Sequence, residues 1–319
     1  MGRAEVLEAG PGIVTGPRRG SGLSLIQGGL EPPSWTLTSL ERLTRVLDLR
    51  PTGFRRYEAT VAEACWPAFP AALLVASAVV AAERSLPGTS VGHLSCSFGP
   101  PPRADRPVEV AMSEVHQGES RATGRLTFRQ GATVRGEATV LLRSRPTQPK
   151  RPSTPPPASR PASAAPRRAP LAITEWDLRD ARPADEVHST GGSQVWSRLP
   201  GAAADGTLQR ALLAYFSEVL PVNLACGLRY PAQPGRTRAS ATVMSHAVTF
   251  SDQFDLGDWL LATVQSAAPG EGYVHALATF RTRQGETVAT VSQAVAVPVN
   301  GARLGPLQHM PTPIRYGSQ

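Results

Sequence analysis

The chain has 319 residues, 41% hydrophobic and 18% charged, which is enough for two globular domains, each with its own core. No apolar run approaches the ~20 residues of a membrane span, so no anchor is expected. The net charge of +8 sits almost entirely in one stretch: between Glu137 and Glu175 there is no acidic residue, while Arg143, Arg145, Lys150, Arg151, Arg160, Arg167 and Arg168 all occur. Pro, Ser and Ala separate those charges and no aromatic lies among them for a base to stack on, which argues against specific nucleic-acid binding.

In chain order, residues 1–34 are rich in Gly and Pro and predict a low-order segment. Its apolar part, Leu23 to Ile26, is too short for an export signal, and a cytoplasmic protein is expected. A first folded unit is expected over 35–143. Within it Ala71 to Ser85 predicts a helix that is apolar nearly all round and must be enclosed. Val108 to Val115, Arg121 to Arg129 and Thr133 to Leu142 predict strands, the last two joined by a tight hairpin at Gln130-Gly131. Residues 144–170, SRPTQPKRPSTPPPASRPASAAPRRAP, predict an extended linker. A second unit follows over 171–300, with a helix at Thr207 to Glu218 and strands at Trp259 to Ser266, Tyr273 to Arg281 and Thr287 to Val297; residues 301–319 form a tail. Cys65, Cys96 and Cys226 are widely spaced and form no C-x-x-C pair, so they read as buried free thiols. No phosphate loop or metal-ligand spacing is present, and neither a cofactor nor a metal is expected.

The two units repeat each other. Arg129-Gln130-Gly131-Ala132-Thr133-Val134 is echoed by Arg283-Gln284-Gly285-Glu286-Thr287-Val288, and a strand-like run ending in Phe-Arg precedes each. The offset is 154 residues after the turn and 152 before it, which predicts a second hairpin two residues longer. One enclosed helix per unit, followed by long antiparallel strands, predicts an α+β fold of double hot-dog type. Two antiparallel sheets would each wrap around a central helix, and the sheets would pair as in a dimer. The same sheets offer a route to a homo-oligomer.

The second unit resembles the acyl-CoA thioesterase II family in its local sequence. Gln194-Val195-Trp196-Ser197-Arg198 is similar to the family's Q-V-W-x-R strand. Ala214-Tyr215-Phe216-Ser217-Glu218, followed by Leu220-Pro221-Val222, looks like its G-Y-x-S-D helix end with L-P-V. Phe254 to Leu261 is similar to F-N-L-N-E-W-L-L, and Val288 to Gln293 resembles V-A-S-T-V-Q. Residues 38–143 match more loosely: Leu43 to Leu49 is similar to the family's opening helix, and Phe69 to Ala82 takes the place of its F-G-G-Q-V-V-G-Q-A-L helix, with Pro70-Ala71-Ala72 where the family has Gly-Gly-Gln.

The resemblance implies hydrolysis of an acyl-CoA or acyl-carrier-protein thioester by a water held between an Asp, a Thr or Ser, and a Gln. Glu218 falls at the Asp position and Gln293 at the Gln position. On the strand Ser240 to His246, Val243 stands where the family has the hydroxyl, with Thr242 one residue away and Ser245 at the family's Asp before the His. A strand bulge restoring Thr242, or a replacement by Ser245, would complete the water site. His246 and Trp259 are expected to contact substrate, His246 more as a hydrogen-bonder than as a base. A rival site pairs His116 with Glu114, or uses His93 beside Cys96. Two other functions stay open: a hot-dog enzyme of specialised, polyketide-like metabolism performing dehydration, cyclisation or a pericyclic step, and a non-catalytic acyl-binding protein.

Overall fold

The computed structural model describes residues 39–60, 71–103, 105–144, 175–181, 193–202, 204–229, 242–251, 254–270 and 272–297, all within one compact unit, Pro32–Gln319. The segment expected over 1–34, the linker beyond Ser144, the tail from 301 and Cys65 lie outside the described residues. The elements run α1 (Leu40–Leu47), β1 (Arg50–Gly53), β2 (Arg56–Ala59), α2 (Ala71–Ser85), β3 (Thr89–Phe98), β4 (Val108–Gln117), β5 (Arg121–Gln130) and β6 (Thr133–Ser144). They continue with β7 (Asp177–Asp180), β8 (Ser193–Arg198), α3 (Gly206–Arg229), β9 (Thr242–Phe250), β10 (Leu260–Gly270), β11 (Tyr273–Thr282) and β12 (Thr287–Ala296).

The strands form one antiparallel sheet of twelve, in the order β1-β2-β4-β5-β6-β3-β9-β12-β11-β10-β8-β7. Read outward from the centre, the two halves have the same order, so the repeat in sequence is also a repeat in topology. The two sheets expected from the sequence are therefore halves of a single sheet, joined where β3 runs antiparallel to β9 from His93↔Thr249 to Ser97↔Ser245. The cause is that each half leaves an inner strand with unpaired backbone groups, and meeting edge to edge lets β3 and β9 satisfy each other's.

Each half carries its helix against its own strands. α2 packs on β2 to β6 and α3 on β9 to β12, and the two helices pack on each other. This explains why α2 is buried almost throughout, from Ala72 to Glu83: one side meets the sheet and the other meets α3. α1 adds an amphipathic cover, its N-terminus capped by Ser39 Oγ accepting from the Arg42 amide at 3.2 Å and its Leu43, Val46 and Leu47 buried.

The hairpin at Gly131 is a two-residue turn closed by Gln130↔Thr133, with Gly131 in the left-handed region at φ 60°. In the second half Phe280 pairs with Ala289 where the first half pairs Phe128 with Gly136, so the second hairpin is longer by one residue and not two. The two inner strands are bulged at matching places, with Gly92 as the extra residue on β3 and Met244 on β9.

α3 continues past the expected end at Glu218 and through Pro221 to Arg229. A proline inside a helix leaves the carbonyl four residues back without its amide donor. That carbonyl belongs to Ser217, and the Gln293 side-chain amide approaches it at 3.4 Å while bonding the Glu218 carbonyl at 2.8 Å. One strand residue thus repairs the helix at the turn that carries the candidate carboxylate.

Candidate active site

The end of α3's first half, β9 and β12 bring Ser217, Glu218, His246 and Gln293 together in the interior, where all four are buried. His246 and Gln293 are cross-strand neighbours, and Cys96 of β3 faces His246 across the central seam. Gln293 Nε2 donates to the Glu218 carbonyl at 2.8 Å and to His246 Nδ1 at 3.0 Å. On the other side of the ring, His246 Nε2 lies 3.2 Å from Ser217 Oγ, which donates to the Ala214 carbonyl at 2.9 Å.

These contacts fix the protons. The Gln293 nitrogen must face the Glu218 carbonyl, since an amide oxygen there would meet another acceptor. His246 Nδ1 then accepts, so the ring proton is on Nε2 and points at Ser217. Burial takes the His246 pKa down to about 3, which keeps the ring neutral. Both N–H bonds of the Gln293 amide are occupied, and its buried Oε1 has no partner among the described residues.

The Glu218 side chain also has no hydrogen-bond partner among the described residues. Burial pushes its carboxyl up to about 7, where acid and base forms coexist at neutral pH. Burial first, and then the Glu218 charge, raise the pKa of the Cys96 thiol and of the Tyr215 phenol. Cys96 is therefore a protonated neighbour of the site and not a nucleophile.

The remaining expected residues separate. The bulge at Met244 turns Val243 inward, into a small apolar cluster with Ala225, Val274, Ala276, Val295 and Val297, and leaves Thr242 exposed. The bulge that would have restored a hydroxyl thus does the opposite. Ser245 is half-buried and opposes Ser97, on the face away from His246. Trp259 lies three strand positions from β9, roughly 14 Å across the sheet. Arg179 and Arg198 lie over its ring, with guanidinium carbons 5.0 and 4.5 Å from the centroid, so it packs with the β7–β8 edge. The rival histidines are apart from the site as well: His93 bonds Thr249 Oγ1 at 2.8 Å on the face opposite Cys96, and His116 is exposed.

Sequence reasoning placed Glu218 and Gln293 but missed Ser217, Tyr215 and Cys96 as their neighbours. Ser217 and Tyr215 stand inside the helix-end motif, which was the available signal; Cys96 comes from the other half of the chain and had none. A cleft of about 770 Å³, lined by Asp48, Glu83, Arg84, Thr207 and others, sits at the opposite end of α3. Thr207 is about three turns from Glu218, roughly 16 Å along the axis, so this cleft and the buried cluster are separate features. Among the described residues no three His, Cys, Asp or Glu converge to hold a metal, and no helix is long and apolar enough to cross a membrane.

Residues 146–297 match the model of the acyl-CoA thioesterase C-terminal domain family. Among solved structures, the TesB protein of Mycobacterium avium subspecies paratuberculosis is 24% identical, with a TM-score of 0.66 over 82% of this chain and 100% of its own. The acyl-CoA thioesterase II TesB2 of Mycobacterium marinum is 23% identical, with a TM-score of 0.68 over 81% and 98%. A hot-dog protein of unknown function from Alicyclobacillus acidocaldarius is 20% identical, with a TM-score of 0.62 over 81% and 98%. No curated protein matches. The duplicated strand order and these likenesses define a protein of the hot-dog fold. Within that class the C-terminal half of the chain, residues 146–297, carries the match to the acyl-CoA thioesterase C-terminal domain family.

Proposed function

We propose that the protein hydrolyses acyl thioesters, carried on coenzyme A or on a carrier protein, with Glu218 as base and Gln293 as the residue that orients the attacking water. The observation that carries this reading is the unpartnered, buried Oε1 of Gln293, whose amide nitrogen bonds the backbone carbonyl of Glu218, a residue with its carboxyl raised to about 7. A water that donates one proton toward Glu218 and the other to Gln293 Oε1 presents its oxygen lone pairs outward, toward a thioester carbonyl. Attack forms the C–O bond, Glu218 takes the proton, and collapse of the tetrahedral adduct breaks the C–S bond and returns that proton to the leaving thiolate. Two acceptors suffice to hold such a water, which is how the site can work with Val243 in place of a hydroxyl.

Gln293 does not serve the developing oxyanion, since both of its N–H bonds are in use. Tyr215, one turn back on α3, has a phenol with no hydrogen-bond partner among the described residues, and we assign it that role. The units at 35–143 and 171–300 are read as two hot-dog units, each sheet half curling about its helix. The free, buried Cys96 suits a reducing compartment, and we place the protein in the cytoplasm.

Thiol release from acyl-CoA substrates of graded chain length tests the reading. Wild type is expected to turn over, Glu218→Gln to lose at least about 10²-fold in kcat, and Tyr215→Phe to lose about tenfold. Ligand-dependent thermal shifts without turnover would instead indicate an acyl-binding protein. A second reading, a hot-dog enzyme of another reaction class, draws on one observation: the core packing of Val243 where the hydroxyl would stand.

A further inference from the structure

Ser217 and His246 do not reach the open Gln293 Oε1, yet they account for most of the polar contacts in the cluster. The Gln293 amide has two stable orientations related by a half-turn, and only one exposes its oxygen to a water. The Glu218 carbonyl favours that orientation through a single hydrogen bond, 2.8 Å long. A second acceptor for the same amide nitrogen is His246 Nδ1, at 3.0 Å. That nitrogen accepts only if the ring proton stays on Nε2, and Ser217 Oγ, 3.2 Å away, is the acceptor that keeps it there. Ser217 in turn passes its own proton to the Ala214 carbonyl, an acceptor with no alternative state.

We propose that Ser217 and His246 are positioning residues: a one-way chain from Gln293 through a neutral, Nε2-protonated His246 to Ser217 and the α3 backbone locks the Gln293 amide with its oxygen open for water. This rests on the proposed hydrolysis and adds the device that makes a glutamine act as an acceptor there. Among the described residues the first half of the chain has no such device. At the positions matched by strand register it has Leu94 and Val140, both fully buried, so the chain of hydrogen bonds belongs to the second half alone. Of the titratable groups around the cluster, Cys96 of β3 lies opposite His246 in the strand register, and Glu218 and Tyr215 come from the same stretch of α3 as Ser217; none of them bonds the ring.

The test has a structural arm and a kinetic arm, both on the full chain. Long-range proton–nitrogen NMR of the imidazoles, with His246 assigned by its loss in His246→Asn, is expected to show bare Nδ1 and protonated Nε2, unchanged from pH 8 to about 5. In Gln293→Glu the new carboxylate has nothing to donate, so His246 is expected to move its proton to Nδ1 or to become charged. A wild-type His246 that titrates near its ordinary value, or that carries its proton on Nδ1, overturns the proposal whether or not the protein hydrolyses anything. In the kinetic arm, His246→Leu is expected to lower kcat by about tenfold or more with KM within about threefold, and Ser217→Ala to lower it less. His246→Asn, which can present an amide oxygen at the Nδ1 place, should recover part of the loss. Unchanged kcat in properly folded His246→Leu and Ser217→Ala also overturns it. Loss of all turnover in Glu218→Gln alongside the expected NMR state would uphold both readings, whereas absent wild-type turnover with that state would sink the hydrolase reading alone.

Discussion

Glu218 is the residue at which stability and function pull in opposite directions. Its carboxyl is raised from 4.5 to about 7 by burial, so the folded state holds a proton that the unfolded state releases between those values. Stability from that proton is complete below about pH 4.5 and is lost as pH rises through about 7, a change on the order of 3 kcal/mol. Glu218→Gln is therefore expected to melt above wild type at pH 8 and near it at pH 4.5, as calorimetry at the two pH values would show. In the proposed hydrolysis activity runs the other way, since Glu218 as base must be ionised, and kcat/KM should rise with pH to a plateau above about 7 with no second inflection from His246. Val243 gives the complementary case. Its side chain fills an apolar cluster, so Val243→Thr would bury a hydroxyl among Val274, Ala276 and Val295. A loss of about 1–3 kcal/mol in urea unfolding, without faster hydrolysis, is expected; a rise in kcat would mean that the site had waited for its missing hydroxyl.

Elements differ in how far their sequence determines them. α2 coincides with its expected span because a segment apolar on every side has no alternative to enclosure, and the β5–β6 hairpin coincides because Gly131 supplies the turn's positive φ. α3 runs on past Glu218 through Pro221, and the amide that compensates for the proline comes from Gln293, far along the chain. The site shows the same division. Glu218 and Gln293 were legible in local motifs, whereas the inward turn of Val243 depends on the bulge at Met244, and a bulge is a property of two paired strands. The surroundings of Trp259 are non-local in the same way, since the arginines beside its ring come from β7 and β8. Between the helices, Glu83 accepts from Arg210 Nε at 2.6 Å and Nη2 at 2.8 Å, from Thr207 Oγ1 at 2.6 Å and from the Val91 amide at 2.9 Å. Both partners are buried, so Glu83→Ala would strand the Arg210 charge and is expected to cost about 3–5 kcal/mol. Replacing both with apolar residues of similar volume should restore most of that in urea unfolding, and failure to do so would show that Thr207 and Val91 matter more than the charge pair.

At the scale of the molecule, the two halves behave as partners that happen to share a chain. Among the described residues, three of the contacts that join them are the β3–β9 seam, the packing of α2 on α3, and the ion pair of Glu83 with Arg210. All three lie inside, and none of them uses the segment that links Ser144 to Glu175. Backbone bonds at the seam cannot be given up cheaply, because separation would expose a new edge on each half and the apolar helix faces with it. The site also depends on this union, since Cys96 from the first half closes one side of the cluster around His246. A protease site inserted within 150–160 is therefore expected to be cut without separating the fragments. They should co-elute on a sizing column, melt in one transition and keep wild-type turnover, because covalent continuity adds only effective concentration to an interface already formed. Adding Glu83→Ala to the nicked protein removes one of the three contacts without touching the site, so it should make association concentration-dependent and turnover fall on dilution. Fragments of the nicked wild type that separate under native conditions would show that the linker, and not the seam, joins the halves.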